Sequence, residues 1–324
     1  MRSVRLGRTL RSQALPPTQD LKNRERTTRI LSSISISDSA AGRAFPDGKF
    51  LRCGEQRFLV KGVAYGTFAP NGDRGQFPGL EQVAEDFAHM ARIGINTVRL
   101  YSLPPVDLLD EMARHGLRAM VGIPWAQHLA FLDDAQLARD IRRSVSEAVR
   151  SLGSHPAVLL FALGNEIPPG VVRWYGQRRI EQFLRDLYDD AKAASPDSLF
   201  TYVNYPPTEY LELEFFDVCA FNVYLHKERQ LRAYLARLQH VAGHRPLLLA
   251  EAGADSIREG EDGQAALTAM QLRAAFEEGL CGAVAFSWTD EWWRGGATIS
   301  DWAFGLVDAE RDTKPALAVT AEVF

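Results

Sequence analysis

Eight short apolar, β-prone runs, most of them separated by segments with helical periodicity, constrain what this 324-residue chain can fold into. The runs are Arg57–Tyr65, Ile95–Tyr101, Leu117–Ile123, Ala157–Glu166, Leu199–Asn204, Val218–Tyr224, Pro246–Glu251 and Ala283–Trp288. Several are apolar at nearly every position rather than at alternate ones, which marks strands covered on both faces, as in parallel sheets. Between them, Val83, Phe87, Met90 and Ala91 fall at helical spacing within Leu80–Ile93 and are followed by Gly94, a helix-stopping glycine. Similar segments cover Val106–His115, Asp133 or Asp134 to Leu152, Tyr175–Ala194, Arg229–Ala242 and Gln264–Glu278.

Eight strands alternating with helices match a closed (β/α)8 TIM barrel. A doubly wound open sheet would also alternate, but it usually carries a GxGxxG phosphate turn after its first strand, and Gly62, Gly66 and Gly72 do not make one. The expectation is an α/β fold with a single barrel domain over residues 46–324. Residues 1–45 differ in kind. They hold Arg2, Arg5, Arg8, Arg11, Lys22, Arg24, Arg26 and Arg29 against few acids, with a Ser/Ile run from Ile30 to Ser37. This composition is transit-like, yet reads most simply as a disordered basic extension. It has no apolar core of a secretion signal, and no stretch in the chain approaches the roughly 18 apolar residues that span a bilayer. A soluble chain, cytoplasmic by default, is expected.

Charge and cysteine usage exclude further classes. A net charge of −4 and a pI near 6.0 supply no basic field for nucleic acid. Cys53, Cys219 and Cys281 are scattered, without the CxxC spacing of a zinc site, and an odd number does not make a disulfide framework. The seven histidines are dispersed, and only His128 and His226 fall near rim loops, so neither a metal nor a cofactor is expected. Oligomeric state is open.

In a barrel the active site lies at the C-terminal ends of the strands. Standing there are Tyr65, Arg99, Tyr101, Trp125, Asn165, Glu166, Asn204, Tyr205, Asn222, Tyr224, Glu251, Trp288, Asp290, Glu291, Trp292 and Trp293. Aromatic rings pack on the C–H faces of sugars while amides and carboxylates bond their hydroxyls. Glu166 and Glu251 each end a buried run, which suggests acid/base or nucleophilic chemistry. Arg99 sits inside a strand and needs an anionic partner there.

Four segments carry a resemblance: Phe58-Leu59-Val60-Lys61-Gly62-Val63, Gly94-Ile95-Asn96-Thr97-Val98-Arg99, Gly164-Asn165-Glu166 and Ala250-Glu251. From about Phe58 to Lys314 the chain resembles the catalytic barrel of clan A glycoside hydrolases, particularly family two, which includes β-glucuronidases, β-galactosidases and β-mannosidases. The segment Val98–Ser102 is also similar to fungal β-1,3-glucanosyltransferases. The resemblance implies a retaining mechanism with Glu166 as acid/base and Glu251 as nucleophile, their carboxyls about 5 to 5.5 Å apart. It further implies that Arg99 and Tyr224 hold Glu251 ionised, and that the charge on Glu251 raises the pKa of Glu166. Asn165 would bond the sugar 2-hydroxyl and Trp288 would floor the reacting subsite. Tyr65, Tyr101, Trp125, Asn204 and Glu291 complete the expected substrate contacts.

Plainer roles stand beside these. Arg99 also fits a structural ion pair, Tyr224 a core residue, and Trp125, Trp292 and Trp293 loop packing. Asp290, Glu291, His128 and His226 fit solvated positions or ones that support the site from behind, and Gly295-Gly296 a flexible turn. Family two enzymes carry β-sandwich domains ahead of the barrel, and the roughly 57 residues before the first strand are too few for them, so the chain reads as a fragment or as a stand-alone barrel. The functional expectation is hydrolysis of, or transfer from, a β-linked oligosaccharide or glucan. The alternatives are a non-catalytic glycan-binding barrel within a larger assembly and an unrelated barrel chemistry.

Overall fold

Alternate residues of each apolar run go to opposite faces, and that sorting builds two concentric apolar layers. The computed structural model describes residues 42–324. The basic extension expected over 1–45 therefore lies outside the described residues, apart from residues 42–45. Eight strands close into a parallel barrel in chain order: β4 (Val60–Tyr65), β5 (Thr97–Leu100), β6 (Arg118–Gly122), β7 (Val158–Asn165), β8 (Phe200–Asn204), β9 (Val218–Asn222), β10 (Leu247–Ala252) and β11 (Gly282–Ala285), with β11 returning to pair β4. Met120, Leu160, Ala162, Val203, Ala220, Leu248, Ala250 and Val284 fill the lumen. Their neighbours Val121, Phe161, Leu163, Phe200 and Tyr202 face the outer helices, as do Phe221, Leu249 and Ala283. Both faces are dry, which is why the runs read as continuously apolar.

The first barrel strand is shorter than the run Arg57–Tyr65. Ahead of it, β1 (Ala44–Asp47), β2 (Phe50–Cys53) and β3 (Gln56–Phe58) form a separate antiparallel sheet. Its two hairpins turn through Gly48 and Gly54, both at positive φ, the conformation that such two-residue loops demand. Leu51, fully buried, packs in one cluster with Val60, Leu159, Leu199, Val218 and Cys281 at the starts of the barrel strands. This sheet stoppers the end of the barrel away from the site.

Helices cover the outside at the expected places, with local differences. Asp134 caps Ala135–Leu152, accepting from the amides of Gln136 and Leu137. The segment expected to be helical from Tyr175 is two helices, Pro169–Tyr175 and Gln177–Ala194, broken at Gly176 with φ 82°. Ser256–Glu277 starts earlier than expected and is interrupted at Gly260. A further helix, Pro315–Val323, packs on it. Among the described residues, no helix is long and apolar enough to cross a membrane.

Candidate active site

Two irregularities in strand register decide which side chains reach the top of the lumen. In β10, Leu248 and Ala250 point inward, so strict alternation would send Glu251 outward toward the helices. The pairing of β10 with β9 slips between Leu249 and Glu251, and the extra residue returns the carboxylate to the lumen. In β7 the register slips between Ala162 and Asn165, and Glu166 follows with φ 53°, a left-handed conformation that a non-glycine residue holds only when its surroundings fix it. Its amide donates to Val203 O at 2.9 Å.

Arg99, only 2 % exposed, occupies the centre. Its Nη1 donates to Ala250 O at 2.7 Å and to Asn222 Oδ1 at 3.0 Å, and lies 2.9 Å from Glu251 Oε1, while Nη2 donates to Asn165 Oδ1 at 2.8 Å. Tyr101 and Tyr224 donate their hydroxyls to the two oxygens of Glu251 at 2.9 and 2.7 Å. Glu251 thus faces one guanidinium and two hydroxyls. Glu166 has a poorer environment, a single side-chain hydrogen bond from Asn222 Nδ2 at 2.8 Å. Burial pushes its carboxyl up to about 7, the negative Glu251 adds to the rise, and the Asn222 bond with the charges of Arg99 and Arg294 opposes it. Burial, rather than the neighbouring carboxylate alone, is the larger cause.

Two cavities of about 600 and 550 Å³ meet at these carboxylates. Tyr101 and Asn165 line the first together with Gln127, His128, Trp292, Trp293 and Arg294. Tyr224 lines the second with Tyr205, His226 and Phe304. Gln127 had no strand-end signal; it sits in the loop after β6, and its Oε1 accepts from the Asn165 amide at 2.8 Å. Trp125 borders a smaller cavity of about 150 Å³ beside Arg99, donates its indole N–H to Leu163 O at 2.7 Å, and packs edge-on against Phe131 and Phe183.

Four expected substrate contacts lie elsewhere. Tyr65 follows the inward Ala64 and so faces outward, is fully buried, and donates to Asp86 at 2.7 Å. Arg311 bonds that same Asp86 at 3.1 Å and Glu291 at 2.5 Å, so Glu291 belongs to this ion-pair network behind β4. Asn204 follows the inward Val203, faces outward, and bonds the Thr208 hydroxyl and carbonyl, bracing the loop after β8. Trp288 is 1 % exposed and meets His89 edge-on in the outer layer. Strand β11 ends at Ala285, and the Trp288 amide turns back to Ala64 O, so the inward alternation stops before it. Phe286 is the side chain on the cleft side, packing against Tyr101, Tyr224, Trp292 and Phe304 and lining both cavities. Asp290 pairs with the buried Lys314 at 2.7 Å.

The three cysteines are free and buried, and burial raises each thiol. Among the described residues no three His, Cys, Asp or Glu side chains gather as metal ligands would. The arrangement can offer one carboxyl that exchanges a proton near neutral pH and one carboxylate aimed into the same cleft.

A family profile described as "Glycosyl hydrolases family 2, TIM barrel domain" matches residues 46–274. A search of curated proteins found no match. Among solved structures, a Bifidobacterium dentium β-glucuronidase complexed with coumarin-3-O-glucuronide superposes with a TM-score of 0.73 at 17 % identity, over 86 % of this chain and 48 % of that one. A β-galacturonidase from Eisenbergiella tayi bound to galacturonate gives 0.73 at 16 %, over 87 % and 53 %. A Ruminococcus gnavus β-glucuronidase in complex with D-glucuronic acid gives 0.73 at 15 %, over 86 % and 51 %. At these identities the superpositions establish the shared fold, and the chain spans about half the length of the structures it matches.

Proposed function

This chain belongs to glycosyl hydrolase family 2 through its TIM barrel domain, and from that premise we propose that it is a retaining β-glycoside hydrolase or transglycosylase. One observation carries the reading: two carboxylates at one cleft stand in unequal surroundings, Glu166 raised to about 7 and Glu251 facing Arg99, Tyr101 and Tyr224. In the first step a Glu251 oxygen bonds the anomeric carbon as the bond to the leaving oxygen breaks, and that oxygen takes the Glu166 proton. The glycosyl ester removes the charge of Glu251, which lowers the pKa of Glu166 and leaves it an ionised carboxylate, the base for the second step. Water or a sugar hydroxyl then attacks the same carbon, gives its proton to Glu166, and frees Glu251. Asn165, fixed by Arg99 and Gln127, is positioned to bond the 2-hydroxyl, and Phe286 underlies the reacting ring.

The test uses activated aryl β-glycosides. Glu251→Ala and Glu166→Ala should each lose on the order of 10³-fold or more in rate. Azide should rescue Glu251→Ala as an α-glycosyl azide and Glu166→Ala as a β-azide. Wild-type rates in both variants would overturn the assignment of the two glutamates, binding without turnover by the wild type would leave a glycan-binding barrel as the reading, and an inverted anomeric product would sink the retaining mechanism.

A neutral β-glucan is one reading of the sugar; Arg294 favours an acidic one. It is exposed at the wall of the first cavity and has no ion-pair partner among the described residues. A carboxylate-bearing sugar would supply one, consistent with the uronide-processing proteins that share the fold. Arg294→Gln should then cut kcat/KM for an aryl β-glucuronide about tenfold while sparing the matching glucoside; equal loss on both would favour the neutral glucan.

A further inference from the structure

The cleft continues past the carboxylates on both sides. The first cavity is built from the loops after β4, β5, β6 and β7, the second from those after β8, β9 and β10, and the segment after β11 borders both. They share Glu166, Glu251, Phe286 and Trp302 and no other residue. Each, at about 600 and 550 Å³, is within the range of roughly 300–1,000 Å³ that encloses a small-molecule ligand. A site that removes only terminal sugars is closed behind the one ring whose anomeric carbon reacts. Here the first compartment is open to solvent and, at about 600 Å³, larger than the second, which leaves room for a further sugar behind the reacting ring.

The two compartments differ in chemistry. Asn165 borders the first and not the second, which places the sugar whose anomeric carbon reacts in the first. Apart from Glu166 and Glu251, the acidic and basic side chains of the second contact one another: His226 Nδ1 lies 3.4 Å from Glu259 Oε1, and Arg258 pairs with Asp255. What remains to meet a ligand there is mainly aromatic, Tyr205, Phe304 and Trp302. Such a wall suits the faces of uncharged sugar rings. Resting on the retaining reading above, we propose that the protein acts on internal linkages of an oligosaccharide or polysaccharide chain. The glycosyl unit being transferred lies in the first compartment with at least one further chain sugar behind it, and at least one leaving-side sugar lies in the second. The second compartment then also receives the acceptor: the departing sugar leaves with the Glu166 proton, and an incoming chain hydroxyl returns a proton to Glu166 as it takes the glycosyl group from Glu251.

The test uses the full chain and β-1,3- and β-1,4-linked gluco-oligosaccharides from disaccharide to octasaccharide, with uronic-acid-containing counterparts, all labelled at the reducing end. Expected are labelled fragments from internal cleavage at the earliest time points, and a kcat/KM at least about tenfold higher for tetrasaccharides than for disaccharides. Stepwise loss of single sugars from the non-reducing end, with kcat/KM flat in length, overturns the proposal. Binding is read separately by calorimetry on the Glu166→Gln, Glu251→Gln double variant, where no turnover is needed. Affinity that climbs at least about tenfold between monosaccharide and tetrasaccharide supports the two-sided cleft even if the retaining mechanism fails. Affinity independent of length overturns it even if the mechanism stands.

Discussion

The ends of β7 and β10 place the same functional group at the same cleft and treat it in opposite ways. Glu251 receives a guanidinium and two phenolic hydroxyls within 2.9 Å; Glu166 receives one amide and is otherwise desolvated. The difference does not come from the strands, both of which end a buried apolar run in glutamate and reach the lumen through a slip in register. It comes from the neighbours across the barrel: Arg99 on β5, Tyr101 just beyond it, and Tyr224 just beyond β9. The contrast between two identical side chains is set by which strand ends surround them.

The comparison breaks most completely if its centre is removed. Arg99→Met should destabilise the fold by about 3–5 kcal/mol, because Glu251 then stays buried without its cation, and chemical denaturation measures the loss. A cost below about 1 kcal/mol would mean that Arg99 contributes little to holding the pair. Removing one hydroxyl is gentler. Tyr224→Phe deletes a hydrogen bond to a charged group and should lower kcat/KM roughly tenfold or more, together with a loss of stability of at most about 1.5–3 kcal/mol, since Tyr224 is 37 % exposed. The same loss in stability and none in rate would make it a packing residue.

Smallest, and most specific to Glu166, is a pH effect. Its folded pKa of about 7 lies above the unfolded value near 4.5, so the stability it lends through the protonated form is complete below about pH 4.5 and is lost as pH rises through about 7. Glu166→Gln stays neutral throughout and should gain about 1–3 kcal/mol over wild type between pH 4.5 and 8, with no gain at the acidic end. The rate should follow the same proton, kcat/KM falling above about pH 7 as the acid ionises. A difference in stability that does not vary with pH would show that Glu166 sits in water-like surroundings.

The eight strands, their order and the two glutamates were legible because each strand is apolar on both faces and closes on a polar or glycine-rich loop. Parity explains much of what was misplaced. Tyr65 and Asn204 each follow an inward residue and so face the helices, while Tyr205, one position on, lines the cleft. The same rule fails for Glu251, whose slip in register leaves no mark in the sequence. Trp288 reads as a rim residue because the eighth apolar run continues through Ser287 and Trp288, whereas the pairing of β11 ends at Ala285. The stopper sheet escaped notice because its strands are only three or four residues long, although Asp47-Gly48 and Cys53-Gly54 announce both of its turns.

The segment after β11 has a consequence for how such a barrel changes over time. Phe286, Trp292, Trp293, Arg294, Trp302 and Phe304 fall within one stretch of chain, whereas the residues that hold the carboxylates come from β5, β7, β9 and β10 and their ends. Much of the cleft wall and the surroundings of the carboxylate pair are therefore written in separable parts of the gene. A lineage can exchange that one stretch and reshape the cleft while the carboxylate pair and the residues that hold it are inherited unchanged.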